Sequence, residues 1–309
     1  MSLYSIIIPV YNSELTLIEL YERIKKVFDE MLKEEFELIL VNDSSRDNSW
    51  QIMKELHNHD SRIKIINLAR NFGQHAALLC GLHYFQGDFV IMMDDDLQHP
   101  PEEIPKLIKA INENPEIDVV FGNYIIKHHN WYRNLGSNII NKLGKIIDKR
   151  DSQIKVTSFR IIRGDLANKI SKVDIQYPRI GNLILYYTNK VMTIDVEHQE
   201  RVYGRSGYHI FRLIKDFLSI IISNSTLPLK LISLIGIIIS FISLLLTIYF
   251  IIRYFVKGIT VQGWTSLIVT ITFFSGFILF TLGIIGEYLI RILIEAKKMP
   301  VYVERDVLL

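Results

Sequence analysis

An apolar run, Ser5–Tyr11, opens the chain, and similar runs recur at Phe36–Asn42, Ile63–Leu68, Phe89–Met93 and Val119–Gly122. Each is almost continuous in aliphatic and aromatic residues rather than alternating with polar ones. That pattern predicts strands of a mostly parallel sheet covered on both faces. Segments with helical spacing lie between them. Glu14–Met31 carries Leu17, Leu20, Ile24, Val27, Phe28 and Met31 on one face, which predicts one amphipathic helix. Ser49–His57, Gln74–Phe85 and Pro101–Ile111 follow. The last begins with prolines, which suit a first helical turn. Up to about Arg205 the alternation predicts an α/β domain.

The pattern then changes. Leu231–Ile252 and Trp264–Gly286 contain no charged residue. Each meets the requirement of roughly 20 apolar residues for crossing a hydrocarbon core. Two such stretches in succession predict a transmembrane hairpin, the alternative being buried core helices. The link Arg253–Gly263 is short, so both flanks lie on one side. Those flanks carry Arg212, Lys215 and Lys230, then Arg291, Lys297 and Lys298, whereas the link carries only Arg253 and Lys257. The excess of basic residues on the flanks places them in the cytoplasm. Tyr208–Ile222 has Ile210, Phe211, Ile214, Phe217, Leu218 and Ile221 at helical spacing. It is an amphipathic helix on the membrane surface or a docking helix of the preceding domain. The expected organisation is a catalytic domain over 1–205, a juxtamembrane region over 206–228, two spans within 229–290 and a cytoplasmic tail over 291–309.

Composition narrows the function classes. The 309 residues carry a net charge of +2, and no basic stripe interleaved with aromatics occurs, which argues against nucleic acid. Cys80 is the single cysteine, so no internal disulfide forms, as suits a cytosolic face. Met1-Ser2-Leu3-Tyr4 enters the first strand without a basic n-region, so no cleavable signal peptide is expected.

In a parallel sheet, ligands bind beyond the carboxyl ends of the strands. Those ends here are Tyr11-Asn12-Ser13, Asn42-Asp43-Ser44, Ala69-Arg70-Asn71 and Asp94-Asp95-Asp96. Three carboxylates ending a buried strand are costly unless a cation or hydrogen-bond donors compensate them. Asp94 and Asp96 have the spacing to clamp a divalent ion. Oxygen ligands suit Mg²⁺ or Mn²⁺, which commonly also hold substrate phosphates. Asp43 either accepts hydrogen bonds from a base or ribose or caps a helix; Asp47 suits the cap better, which leaves Asp43 free. Arg70 can meet phosphate or hold the acidic loop, and Gly73 can supply an unusual backbone angle. His75 belongs to helix surface or core, His57 and His59 are solvated, and His99 serves a loop or cap. Neither a G-x-x-x-x-G-K-S nor a G-x-G-x-x-G motif is present, which argues against a P-loop or dinucleotide site.

These residues resemble the GT-A glycosyltransferases of family 2, and most closely their polyprenyl-phosphate sugar transferases. The likeness covers nearly the whole chain. It rests on Ile8-Pro9-Val10-Tyr11-Asn12, Val41-Asn42-Asp43-Ser44-Ser45, Arg70-Asn71-Phe72-Gly73, Asp94-Asp95-Asp96-Leu97-Gln98-His99-Pro100-Pro101 and Arg201-Val202-Tyr203-Gly204-Arg205-Ser206-Gly207-Tyr208. Two further stretches, Gly283-Ile284-Ile285-Gly286-Glu287-Tyr288 and Met299-Pro300-Val301-Tyr302, are similar to bacterial members. The resemblance implies a Rossmann-like GT-A domain before the hairpin. It implies that Pro9, Tyr11, Val41 and Asp43 surround the nucleoside, with Ser13 and Arg70 on the nucleotide-sugar. Asp94, Asp96 and Gln98 would hold Mg²⁺ or Mn²⁺, and Asp95 would touch the donor. Arg133 and Arg201 would face phosphates, completing a catalytic set with Asp96 and Ser158. The implied partners are a nucleotide-sugar, a polyprenyl phosphate, the membrane and a flippase acting on the product. Gly276, Gly283 and Gly286 suit packing against further copies. The expected location is the bacterial inner membrane.

Several positions depart from the family pattern. Ser13 stands in the place of a usual Glu, Asn42 of a frequent Asp, Tyr124 of a frequent Arg and Gly207 of a frequent Lys. Ser158 stands where many members carry an acidic residue sometimes assigned as base. An alcohol acceptor needs a base. A phosphate monoester, with a second pKa near 6, is already anionic. Ser158 therefore favours a phosphate acceptor or signals lost activity. The competing expectations are transfer to a hydroxyl and an inactive sugar-nucleotide-binding scaffold. Gln199-Glu200-Arg201-Val202-Tyr203 does not match the Gln-x-x-Arg-Trp motif of processive synthases.

Overall fold

The apolar runs become the inner strands of one eight-stranded mixed sheet. The computed structural model describes residues 2–124, 155–175, 178–197, 263–297 and 299–309, with positions 245, 252 and 256, and only part of the side chains along 264–296. The strands are β1 (Leu3–Val10), β2 (Glu35–Asn42), β3 (Ile63–Leu68), β4 (Phe89–Met92), β5 (Val119–Tyr124), β6 (Arg160–Arg163), β7 (Val191–Val196) and β8 (Glu304–Leu308). Their order is β7-β5-β6-β4-β1-β2-β3-β8. β1 pairs in parallel with both β2 and β4, and β2 pairs in parallel with β3. β6 runs antiparallel to β4 and β5, and β8 runs antiparallel to β3.

Helices cover both faces: α1 (Leu17–Lys26), α2 (Ser49–His59), α3 (Gln74–Gly81), α4 (Ile104–Glu113), α5 (Gly164–Ser171) and α6 (Ile180–Tyr187). The period-two geometry of β1 divides its side chains between two cores. Ile6, Ile8 and Val10 pack with Leu20, Met53 and Leu107 on one side. Ile7 packs with Ile39, Val41, Ala77 and Ile184 on the other. Double-sided coverage is why these strands are unbroken apolar runs.

The helix expected over Glu14–Met31 is shorter and changes register. α1 ends at Lys26 and a π-helical stretch, Val27–Leu32, follows. Val27 and Phe28 stay buried, while Met31 swings out to 56% exposure. Lys33, with φ 56°, closes the stretch. α3 also stops at Gly81 rather than Phe85.

The chain separates into two compact units, Met1–Ile139 with Arg150–Arg205 and Lys298–Leu309, and Ile140–Lys149 with Ser206–Lys297. Residues 304–308, expected in a tail, thus supply β8 to the first unit's sheet. In the second unit, α7 (Trp264–Ala296) is a continuous helix of 33 residues. Its sequence contains the second uncharged stretch, Trp264–Gly286. Among the described residues no helix is long and apolar enough to cross a membrane. Tyr208–Ile222 and most of Leu231–Ile252 lie outside the described residues.

Candidate active site

β1 to β3 are laid down in succession on one side of β1, and β4 returns to its other side. The switch point between β1 and β4 is where an open α/β sheet binds ligands. The loops leaving β1, β2, β3 and β4 each contain one residue with left-handed backbone: Asn12 (φ 55°), Ser44 (φ 57°), Gly73 (φ 93°) and Leu97 (φ 60°). Such conformations are uncommon outside glycine and cost on the order of 1–3 kcal/mol where the surroundings impose them. Leu97 is 1% exposed, so core burial of its side chain offsets that cost.

These loops enclose a cleft of about 330 Å³, lined by Pro9, Val10 and Tyr11 after β1, Asp43 after β2, Asn71, Gly73 and Gln74 after β3, and Asp94, Asp95 and Asp96 after β4. The convergence expected of the strand ends is therefore present. A bond across the switch point fixes it: the Tyr11 amide donates to Asp95 Oδ2 at 3.0 Å, and the Ser13 hydroxyl donates to the same oxygen. Burial pushes the Asp95 carboxyl up to about 6 against those two donors, and the charges of Asp94 and Asp96 add to the rise.

Asp94 accepts from Gln74 Nε2 through one oxygen and from Ser158 Oγ at 2.7 Å through the other. Gln98 meets Asp96 through its backbone amide, 3.1 Å from Oδ1, and its side chain does not line the cleft. Asp43 is not free, contrary to expectation. Its oxygens accept the amides of Phe72 and Gly73 at 2.7 and 2.9 Å, which shapes the β3 loop. Burial raises its carboxyl and these two bonds oppose the rise. Asp47 does hold the start of α2, through Ser49 N and Oγ.

Other expected site residues fall elsewhere. Val41 is fully buried in the core, so its side chain does not reach the cleft. The Arg70 guanidinium lies 4.7 Å from the Phe72 ring centre and is exposed. His99 lies in the loop after β4, where it is 3% exposed and stacks on Phe159 at 5.4 Å. Arg133 and Arg201, with Lys127, Arg205 and Gly207, lie outside the described residues. Asn71 lines the cleft as its strand-end position predicts, whereas the contribution of Gln74 was missed from sequence; its position at the start of α3 was the available signal.

The site's donor set consists of carboxylate oxygens facing one cleft. Among the described residues no group of three His, Cys, Asp or Glu side chains forms a cage for a metal. Asp94 and Asp96 nonetheless fit Mg²⁺ or Mn²⁺ chemistry, because Mg²⁺ is commonly held by one or two carboxylates together with substrate phosphates and water. Among the described residues the cleft lining carries four carboxylates and no positive charge, so an anionic ligand against these residues calls for a cation beside it.

Residues 5–171 match the family model described as glycosyl transferase family 2. The chain is 34% identical to the uncharacterized glycosyltransferase YkcC of Bacillus subtilis (strain 168), covering 97% of this chain and 92% of the relative. It is 33% identical to the undecaprenyl-phosphate 4-deoxy-4-formamido-L-arabinose transferase of Proteus mirabilis (strain HI4320), covering 96% and 91%. A solved structure with a similar fold is glucosyl-3-phosphoglycerate synthase from Mycobacterium tuberculosis in complex with Mn²⁺, uridine diphosphate and phosphoglyceric acid. Its TM-score is 0.54 at 15% identity, covering 72% of this chain and 76% of that one. The mixed sheet is thus a GT-A, Rossmann-like fold.

Proposed function

The chain belongs to glycosyl transferase family 2, and from that premise we propose that it moves a sugar, with inversion, from a UDP-sugar to polyprenyl phosphate at the cytoplasmic face of a bacterial membrane, for cell-envelope glycan modification. The observation that carries the acceptor assignment is Ser158. Its hydroxyl is committed to Asp94 at 2.7 Å, at the position where an alcohol acceptor would call for a carboxylate base. Relatives of similar length named as undecaprenyl-phosphate transferases support the same acceptor class. The uncharged stretches Leu231–Ile252 and Trp264–Gly286 support membrane attachment.

The chemistry follows from the residues. Asp43 fixes the Phe72–Gly73 backbone as one wall of the cleft. Asp95 fixes the Tyr11 backbone as another wall, with Ser13 bonded to the same carboxylate behind it. Between them, Asp94 and Asp96 would hold Mg²⁺ or Mn²⁺, which when bound neutralises the charge of the leaving diphosphate. An oxygen of the acceptor phosphate forms the bond to the anomeric carbon. The bond from that carbon to the diphosphate breaks, and the nucleoside diphosphate leaves with the electron pair. No proton is removed from the acceptor, so the chain's task is alignment and exclusion of water.

The test is transfer by the full chain in detergent, using a panel of radiolabelled nucleotide-sugars, Mn²⁺ and undecaprenyl phosphate. One donor is expected to give a labelled lipid. Label appearing only on an added carbohydrate would contradict the assignment.

A further inference from the structure

We propose that a second cavity, on the far side of Asp94 from the donor cleft, receives the acceptor's phosphate monoester between the guanidinium groups of Arg160 and Arg179. The proposal rests on the phosphate-acceptor reading above and deepens it. The cavity measures about 310 Å³. Its lining includes Gln74, His75, Ser158, Arg160, Arg179 and Asn182.

Charge separates the two spaces. Among the described residues the donor cleft is lined by four carboxylates and no cation. Among the same residues the second cavity is lined by two arginines and no carboxylate. Gln74 lines both, and its side-chain amide donates to Asp94. Ser158, in the second lining, donates to the other oxygen of Asp94. One carboxylate with its two donors thus divides a space that suits cations from one that suits anions. A sugar transferred in line must have its leaving diphosphate and its incoming nucleophile on opposite sides of the anomeric carbon. In this proposal the donor cleft takes the diphosphate and the second cavity the nucleophile.

The cationic cavity is built rather than incidental. Arg160 is 2% exposed and begins β6, whose ladder joins β4 and β5. Its backbone is therefore held by the sheet, and its side chain is packed inside the protein. Arg179 immediately precedes α6. Asn182 and Gly181, in the first turn of that helix, face the same cavity, and a helix N-terminus favours an anion. At Gly181 a side chain would collide with Val156 Cγ1 and come within 3.6 Å of Arg160 Nη1. The missing Cβ lets α6 pack closely against Val156 beside the cavity. Burial, then the charges of Arg160 and Arg179, push His75 down to about 4. Two guanidinium groups suit a phosphate because each presents a planar fork of donors to its oxygens.

The experiment is equilibrium binding to the full chain in detergent, with UDP and Mn²⁺ present. The probes are geranyl phosphate, inorganic phosphate and geraniol. Geranyl phosphate is expected to bind and geraniol not. Arg179→Ala and Asn182→Asp should each weaken geranyl phosphate by about tenfold, the equivalent of about 1.4 kcal/mol, and Arg179→Lys should recover part of the loss. UDP affinity should stay within about twofold in all three, which shows that the donor cleft and the fold are intact. Unchanged geranyl phosphate affinity in both Arg179→Ala and Asn182→Asp would overturn the site while leaving the phosphate-acceptor reading standing. Binding of inorganic phosphate alone, with the same dependence on Arg179, would support the site and reject a prenyl acceptor. Binding of neither phosphate by the parent chain would overturn that reading, and the proposal with it.

Discussion

Ser158 Oγ donates to Asp94 Oδ2 across 2.7 Å, joining residues 64 positions apart in the chain. Ser158 thus gives Asp94 a neutral donor and supplies no carboxylate at its own position. Ser158→Ala removes one hydrogen bond, a contribution of about 0.5–1.5 kcal/mol. Turnover should therefore fall by no more than about tenfold, with the shape of the pH–rate profile retained. A loss of several orders of magnitude would mark the hydroxyl as part of proton transfer.

Asp96→Ala should behave differently. It removes one of the two carboxylates assigned to the metal. The loss should exceed the roughly 10–100-fold that removal of an outer-shell partner costs. EDTA should abolish turnover of the parent chain, and Mn²⁺ should restore it. Full turnover of Asp96→Ala in the presence of EDTA would contradict the metal assignment.

Asp43 acts on the backbone. With Asp43→Ala, the Phe72 and Gly73 amides lose their acceptor, at a cost of about 1–3 kcal/mol. Gly73→Ala strains a backbone at φ 93° and should lose a comparable amount. Both should weaken UDP binding, because the β3 loop forms one wall of the cleft. Chemical denaturation and a UDP titration measure the two effects.

A third site couples stability to pH. Arg62 meets Asp60 and Asp29 at 2.7 Å each, and the Tyr21 hydroxyl donates to Asp60 at 2.9 Å. Hydrogen bonds from Arg62 hold the Asp60 carboxyl down at about 2, against an unfolded value of 3.8 and against the rise from burial. A depressed carboxyl stabilises the fold above its unfolded pKa and loses that contribution as pH falls through the folded one. Asp60→Asn should cost about 1–2 kcal/mol at neutral pH. The difference from the parent should fade between about pH 4 and pH 2, as followed by denaturant midpoints.

The C-terminal strand is tied to the same rim. Asn67 Nδ2 donates to Asp306 at 2.9 Å, while its Oδ1 accepts from Asn42 Nδ2 at 2.8 Å. Asn42 in turn accepts from the Ser45 amide. Asn67→Ala leaves the buried Asn42 amide without its acceptor and should cost about 1–3 kcal/mol. Asp306 is exposed, so Asp306→Ala should cost less. A thermal-shift comparison of the two variants checks the order.

The central sheet was legible because β1 to β5 are covered on both faces, which forces runs such as Ile6-Ile7-Ile8 and Leu38-Ile39-Leu40. The other strands carry no such signal. β6 has only Ile161 and Ile162 between two arginines. β8, Glu-Arg-Asp-Val-Leu, lies at the sheet edge, where charged residues are ordinary and apolar runs are a hazard. The rim was legible for a related reason: polar residues ending apolar strands must face the cleft. The partners of those residues were not. Asp43 with Phe72, Asp94 with Ser158 and Asn67 with Asp306 are set by tertiary packing between distant segments. Sequence proximity assigned the helix cap to Asp47 and showed no partner for Asp43.

The nature of the bond formed tests the account most directly. With undecaprenyl phosphate and the matching labelled nucleotide-sugar, the lipid product should release its sugar in mild acid, as a glycosyl phosphate does, and undecaprenol should give no product. A product stable to mild acid, or equal transfer to undecaprenol, would contradict a phosphate acceptor.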